Sequence, residues 1–177
     1  GAPSGPWAGI DVEPNANNVC QDIVIEGVRT DSNVGGGLLF VPGNQSLALG
    51  TTFTVTVNGG TSDSDGSTAG VPALRFANGG AFTNQVYGKV VVRDFAIINP
   101  LSRGASFSNW DAALAPQVVL ENVTVLNPDS TSNASTNENR SGIVVYTTSA
   151  EAVTYNGNIR IVNCRVSDAR GSPRMVY

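Results

Sequence analysis

Histidine is missing from this chain of 177 residues, lysine occurs once, at Lys89, and only 14% of the residues are charged. Without imidazole there can be no Ser-His-Asp triad and no zinc site built on histidine within the segment, so any catalysis must come from carboxylates, Tyr, Arg or Lys. The scarcity of lysine and the net charge of -4 argue against a nucleic-acid partner, which needs a concentrated basic surface. No apolar run approaches the roughly 20 residues that span a bilayer, and the N-terminus lacks the charged and apolar regions of a signal peptide. Membrane insertion is therefore not expected. The two cysteines, Cys20 and Cys164, have neither metal-site spacing nor the density of a disulfide scaffold, and read as buried free thiols.

What is present is strand-forming sequence. A hydrophobic content of 41% suits one unit with a sizeable core, and no credible amphipathic helix interrupts it. One pattern recurs five times: "IVIEGVRT" from Ile23, "VTVNGGTS" from Val55, "VVVRDFAI" from Val90, "VVLENVTV" from Val118 and "IRIVNCRV" from Ile159. Each alternates apolar and variable residues, meets Gly, Asp or Asn, and usually resumes the alternation. The alternation predicts strands, and the column Gly27, Gly59, Asp94, Asn122 and Asn163 predicts a corner where the backbone turns left-handed.

A further set of strands lies between these pairs: "GIDVE" from Gly9, "GLLFV" from Gly37, "ALRFA" from Ala73, "ASFSN" from Ala105, "GIVVY" from Gly142 and "RMVY" from Arg174. The pattern predicts three short strands per repeat. The anchors are 32, 35, 28 and 41 residues apart, a variation that loops of different length absorb. Strand alternation assigns inward columns through Ile10, Leu38, Leu74, Ala105 and Ile143, through Val12, Phe40, Phe76, Phe107 and Val145, and through Ile23, Val55, Val90, Val118 and Ile159. Cys164 falls in the core column of Val28, Phe95 and Val123. Phe95 and Phe107 read as packing residues.

Three strands per repeat, variable loops and a polar corner residue resemble the right-handed parallel β-helix of the pectate-lyase-like superfamily, including phage tailspike and polysaccharide depolymerase domains. The likeness runs over essentially the whole chain as about five coils of an all-β solenoid, and "GIDVEPN" from Gly9 resembles a segment of carbohydrate-acting β-helix proteins. The resemblance implies a single domain over residues 1–177, extracellular or on a virion surface. It implies a polysaccharide as partner and a homotrimeric assembly. Termini inside strands, with no capping helix, are expected of a fragment of a longer chain.

On that reading Asp11 and Glu13 point outward from the sheet that forms the substrate groove in the lyase and hydrolase relatives. Two residues apart on one strand, their Cβ atoms are about 6.5 to 7 Å apart. The pair could serve as acid and base in glycoside hydrolysis, chelate calcium, hydrogen-bond sugar hydroxyls, or form a solvated face. Arg75 and Tyr146 share the outward face and are candidate substrate-binding groups, or bases for a lyase acting on a uronic acid. Trp7 and Trp110 lie in loop-like contexts, where an indole can stack on a sugar ring or seal a loop against the core. "SDSDGS", with Asp63 and Asp65, faintly echoes a calcium loop and is read as a solvated turn. The outward strip Val24, Thr56, Val91, Val119 and Arg160 is unusually apolar, as a strip covered by a neighbouring subunit would be.

Three functions follow as expectations: a tailspike-type domain that binds and depolymerises a bacterial surface polysaccharide, a secreted lyase, hydrolase or epimerase, and a structural or adhesin stalk without catalysis.

Overall fold

The computed structural model describes residues 8–14, 18–44, 51–67, 69–77, 84–111, 113–130, 140–146 and 158–169. Trp7 and the expected strand from Arg174 lie outside the described residues. Twelve strands make up the described fold: β1 (Ile10–Val12), β2 (Ile23–Asp31), β3 (Leu38–Phe40), β4 (Phe53–Asp63), β5 (Leu74–Ala77), β6 (Gly88–Ile98), β7 (Ala105–Ser108), β8 (Gln117–Glu121), β9 (Thr124–Leu126), β10 (Ile143–Tyr146), β11 (Ile159–Val162) and β12 (Arg165–Ser167). A 3-10 turn spans Pro42–Asn44.

All named strands pair in parallel, in two sheets. A five-stranded sheet has the order β1-β3-β5-β7-β10, and a seven-stranded sheet has the order β11-β8-β6-β4-β2, with β9 and β12 alongside. Over β1 to β7 the chain alternates between the sheets strand by strand, which gives parallel pairing without helical crossovers.

This arrangement corrects the expected β-helix with three short strands per coil. The repeats do not divide into three strands: β2, β4 and β6 run through the supposed corner as continuous strands of 9, 11 and 11 residues. The corner residues do take left-handed backbones, with φ of 57° at Gly27, 67° at Gly59, 54° at Asp94, 54° at Asn122 and 52° at Asn163. Because every strand kinks at the same register, the kinks stack and the ladder resumes on both sides. Only at Asn122 and Asn163 does the kink part the strand in two, as β8/β9 and β11/β12. The likeness to the pectate-lyase-like β-helix and its tailspike members is withdrawn with the three-strand coil that carried it.

The side-chain columns are as the alternation predicts. Ile23, Val55, Val90, Val118 and Ile159 are in register across the large sheet. Across the small sheet, Ile10 pairs Leu38, Leu38 pairs Leu74, and Leu74 pairs Ala105, which pairs Ile143. Their inward side chains form one core. At its centre Phe40, Phe76 and Phe107 stack at centroid separations of 5.3 and 4.5 Å, the second pair within 4° of parallel. Such ring pairs add about 0.5–1.5 kcal/mol each beyond the area they bury.

A second left-handed column, not anticipated, runs through Ser32, Ser64, Asn99 and Asn127 with φ between 48° and 58°. Its amides bond forward to the next strand, Ser32 N to Asp63 O, Ser64 N to Ile98 O and Asn99 N to Leu126 O. Side-chain amides link both columns: Asn122 Nδ2 donates to Asp94 Oδ1 at 3.0 Å, and Asn127 Nδ2 to Asn99 Oδ1 at 2.9 Å. Asn and Asp tolerate left-handed φ and also bond their stacked neighbours, which explains their repetition at these turns.

Asp65 is another departure from expectation. It lies in no solvated turn but is fully buried, and it accepts from Thr30 Oγ1 and Ser62 Oγ at 2.6 Å each, from Asn33 N at 2.7 Å and from Asn33 Nδ2 at 2.8 Å. Thr30 and Ser62 occupy an inward column that is apolar further on, at Ile97 and Val125, so two hydroxyls in the core require an acceptor. Gly37 makes room for the cluster: a Cβ there would lie 2.5 Å from Thr30 Oγ1 and Ser62 Oγ.

Candidate functional site

The outward face of the five-stranded sheet carries the candidate residues. Alternation along its strands sends Asp11, Leu39, Arg75, Ser106 and Val144 outward in one column, all in register. Two residues on, Ala77, Ser108 and Tyr146 form a second column, with Val41 and Glu13 following the ends of β3 and β1.

The face is not a uniformly polar groove. Leu39, Val41 and Ala77 are buried with Ala8 in a small apolar cluster of their own. Polar groups flank this patch. On one side are Asp11 and Glu13, both exposed, with Pro14 buried beside them. Arg75 is half-buried two strands away from Asp11. Displacement of water by surrounding protein lifts the Asp11 carboxyl above its ordinary value of 3.8, and the Arg75 guanidinium draws it partway back.

On the other side Tyr146 is half-buried, and the Arg103 guanidinium carbon lies 4.6 Å from its ring centroid. A cation in that position is held by the ring quadrupole, and the stacking fixes the phenol plane. Ser106, one strand from Arg75, is 1% exposed and its Oγ has no hydrogen-bond partner among the described residues. Neither Arg103 nor Ser106 stood out in the sequence. Arg103 precedes β7 in "SRGAS", where no periodicity marks it, and Ser106 is an ordinary variable position in a strand.

Trp110 does not belong to this face. It is fully buried, its indole N–H donates to Pro116 O at 3.0 Å, and its ring meets Phe76 edge-on at 5.9 Å and 78°. It seals its loop against the core and offers no face to a sugar. Among the described residues, no three His, Cys, Asp or Glu side chains are grouped to hold a metal ion.

On the large sheet, the outward strip is partly covered by the chain itself. Val91 and Val119 are each 8% exposed, lying between Lys89 and Arg93 on one strand and Gln117 and Glu121 on the next. At the edge of the sheet Val24 has a paired strand on one side only among the described residues and is 61% exposed. Cys20 and Cys164 pack partly buried against the core, and burial raises the Cys20 thiol above its ordinary 9.0.

No family model matches this chain, and no curated protein or solved structure matches it.

Proposed function

We propose that the outward face of the five-stranded sheet binds a polysaccharide, with Asp11, Glu13 and Arg75 contacting it on one side and Tyr146 on the other. The supporting observation is the Asp11 and Arg75 pair on a single outward column, an exposed acceptor and a half-buried donor, with a fixed aromatic ring on the neighbouring column. Sugars present hydroxyls that both accept and donate, together with apolar C–H faces that an aromatic ring can cover. Where the bound glycan is also cleaved, Asp11 is the candidate proton donor, because its raised carboxyl holds a proton to higher pH than an ordinary aspartate. Glu13, two residues along, is its candidate base or nucleophile.

The test is glycan-array binding and reducing-end release with the wild-type chain, Asp11→Asn, Glu13→Gln and Arg75→Ala. All four must be fully folded at the assay temperature, with one circular dichroism spectrum. Binding by the wild type that falls at least tenfold in Arg75→Ala supports recognition on this face, and cleavage lost in Asp11→Asn with binding retained supports the acid role. A glycan bound equally by all four places recognition elsewhere.

A second reading, a structural module without a glycan, is favoured by one feature: the centre of the face is a covered apolar patch rather than an open cleft. Failure to bind any glycan on the array would favour it.

A further inference from the structure

The two ends of the seven-stranded sheet differ in charge and match in side-chain register. At one end β2 has a paired strand on one side only among the described residues, and at the other so do β11 and β12. Core columns that are wholly buried within the stack come to the surface at these ends. Ile161 is 40% exposed although its register partner Leu120 is fully buried, and Ile23 and Ile25 of β2 are only partly buried although Val55 and Val57 beside them are fully buried. Val19 and Val24 add apolar surface at the β2 end, 44% and 61% exposed.

The charges are complementary. The exposed residues at the β2 end include Asp22, Glu26 and Asp31, with Arg29 the one cation among them, 3.6 Å from Asp31. Strands β11 and β12 carry Arg160 and Arg165, both exposed, and no acid. Within the stack an outward Arg already faces an outward acid on the adjacent strand, at Arg93 and Glu121.

We infer that copies of this chain associate head to tail, with β11 and β12 of one copy pairing in parallel with β2 of the next. In the register of the stack, Ile159 meets Ile23 and Ile161 meets Ile25, so both exposed core columns continue across the junction. Both strands kink at the same place, Gly27 and Asn163 being left-handed at 57° and 52°. Arg160 then lies over Val24 and between Asp22 and Glu26, two residues to either side. The single like-charge contact, Arg165 over Arg29, is offset by Asp31. Unpaired strand edges recruit further strands, and a heterologous contact of this kind does not close, so it builds a linear series rather than a fixed dimer.

Sedimentation velocity over a concentration series into the millimolar range tests this, with two charge-reversed variants at exposed positions. One carries Glu26→Arg and Asp31→Arg, the other Arg160→Glu and Arg165→Glu. The wild type should grow progressively with concentration. Each variant alone should associate about tenfold more weakly, with an unchanged circular dichroism spectrum and thermal midpoint. Mixed in equal amounts, the two variants should grow again as an alternating series, because the wild-type ends pair with each other and the reversed ends pair with each other. All four substitutions in one chain should restore growth. A wild type that remains monomeric throughout the series overturns the inference. So does a species that stops at two or three copies, or growth that neither variant weakens.

Discussion

Replacing Asp65 with alanine should be among the most damaging single changes in the chain. The carboxylate accepts four hydrogen bonds, at 2.6, 2.6, 2.7 and 2.8 Å, and is fully buried. Hydrogen bonds to a charged group contribute about 1.5–3 kcal/mol each, though not additively. Relief of the carboxylate's own desolvation offsets part of the loss, leaving a net cost of about 3–4 kcal/mol. For a chain of this size that lowers the thermal midpoint by roughly 6 to 16 °C. Asp65→Asn should cost less, about 1–2 kcal/mol. Its amide oxygen can keep both Asn33 donors, and its NH₂ can donate to the Thr30 and Ser62 hydroxyls, which rotate to accept. Denaturant melts measure both costs. Amide exchange localises the damage: the Asn33 amide, bonded to the Asp65 side chain, should lose protection in the alanine variant. The Leu101 amide, bonded to the Asp65 main-chain carbonyl at 3.1 Å, should keep it under conditions where the chain stays folded. An alanine variant that loses under about 1 kcal/mol, or equal losses for alanine and asparagine, would refute the account.

Asp11 opposes folding at neutral pH, because its raised carboxyl binds a proton more tightly in the folded chain than in the unfolded one. Its favourable contribution is complete below 3.8 and is lost as pH rises through the folded value. Asp11→Asn should therefore gain stability relative to wild type as pH rises from about 3 to 7, read from thermal midpoints against pH, and a gap that stays constant contradicts the shift. Phe76→Ala removes the ring shared by two stacked pairs and one edge contact, and should cost about 3–5 kcal/mol in a urea melt. Cys20, with its thiol raised by burial, should react with iodoacetamide at pH 8 more slowly than a thiol in an unstructured peptide, and equal rates would contradict that environment.

Much of the fold was legible because a parallel stack repeats its constraints. Ile23 is followed at the same register by Val55, Val90, Val118 and Ile159, and each must be apolar for the same reason. The corner column was legible for a similar reason, since only a few residue types take left-handed φ without strain. What the corner does to the strand was not legible. A left-handed residue flanked by alternating segments reads equally as a turn between two strands or as a kink within one. The choice depends on whether neighbouring strands kink in step, as β2, β4 and β6 do. Asp65 was misread because "SDSDGS" looks like a surface turn. The signal against that lay 35 residues earlier, in the hydroxyl of Thr30 at an inward position. Trp110 kept two open readings because its anchor, the Pro116 carbonyl, belongs to the same loop and carries no sequence signature.

The candidate site was less legible than the core, and the cause is the same repetition. Inward positions must match the strands on either side at a spacing of about 4.8 Å, so each inward residue is predicted by its neighbours. Outward positions on the small sheet need not match their strand neighbours: the column Asp11, Leu39, Arg75, Ser106 and Val144 changes character at every step. A stacked core therefore leaves its outward columns free to hold whatever chemistry is required, and leaves that chemistry without a periodic signal. Arg103, outside any strand yet stacked on Tyr146, lies beyond the reach of alternation altogether. It follows that substitutions should divide by facing. Changes at inward positions such as Phe76 should act on stability, whereas changes at outward exposed positions such as Glu13 should leave the thermal midpoint unmoved and act, if anywhere, on binding. That division is what makes the outward face testable by mutation without loss of the fold.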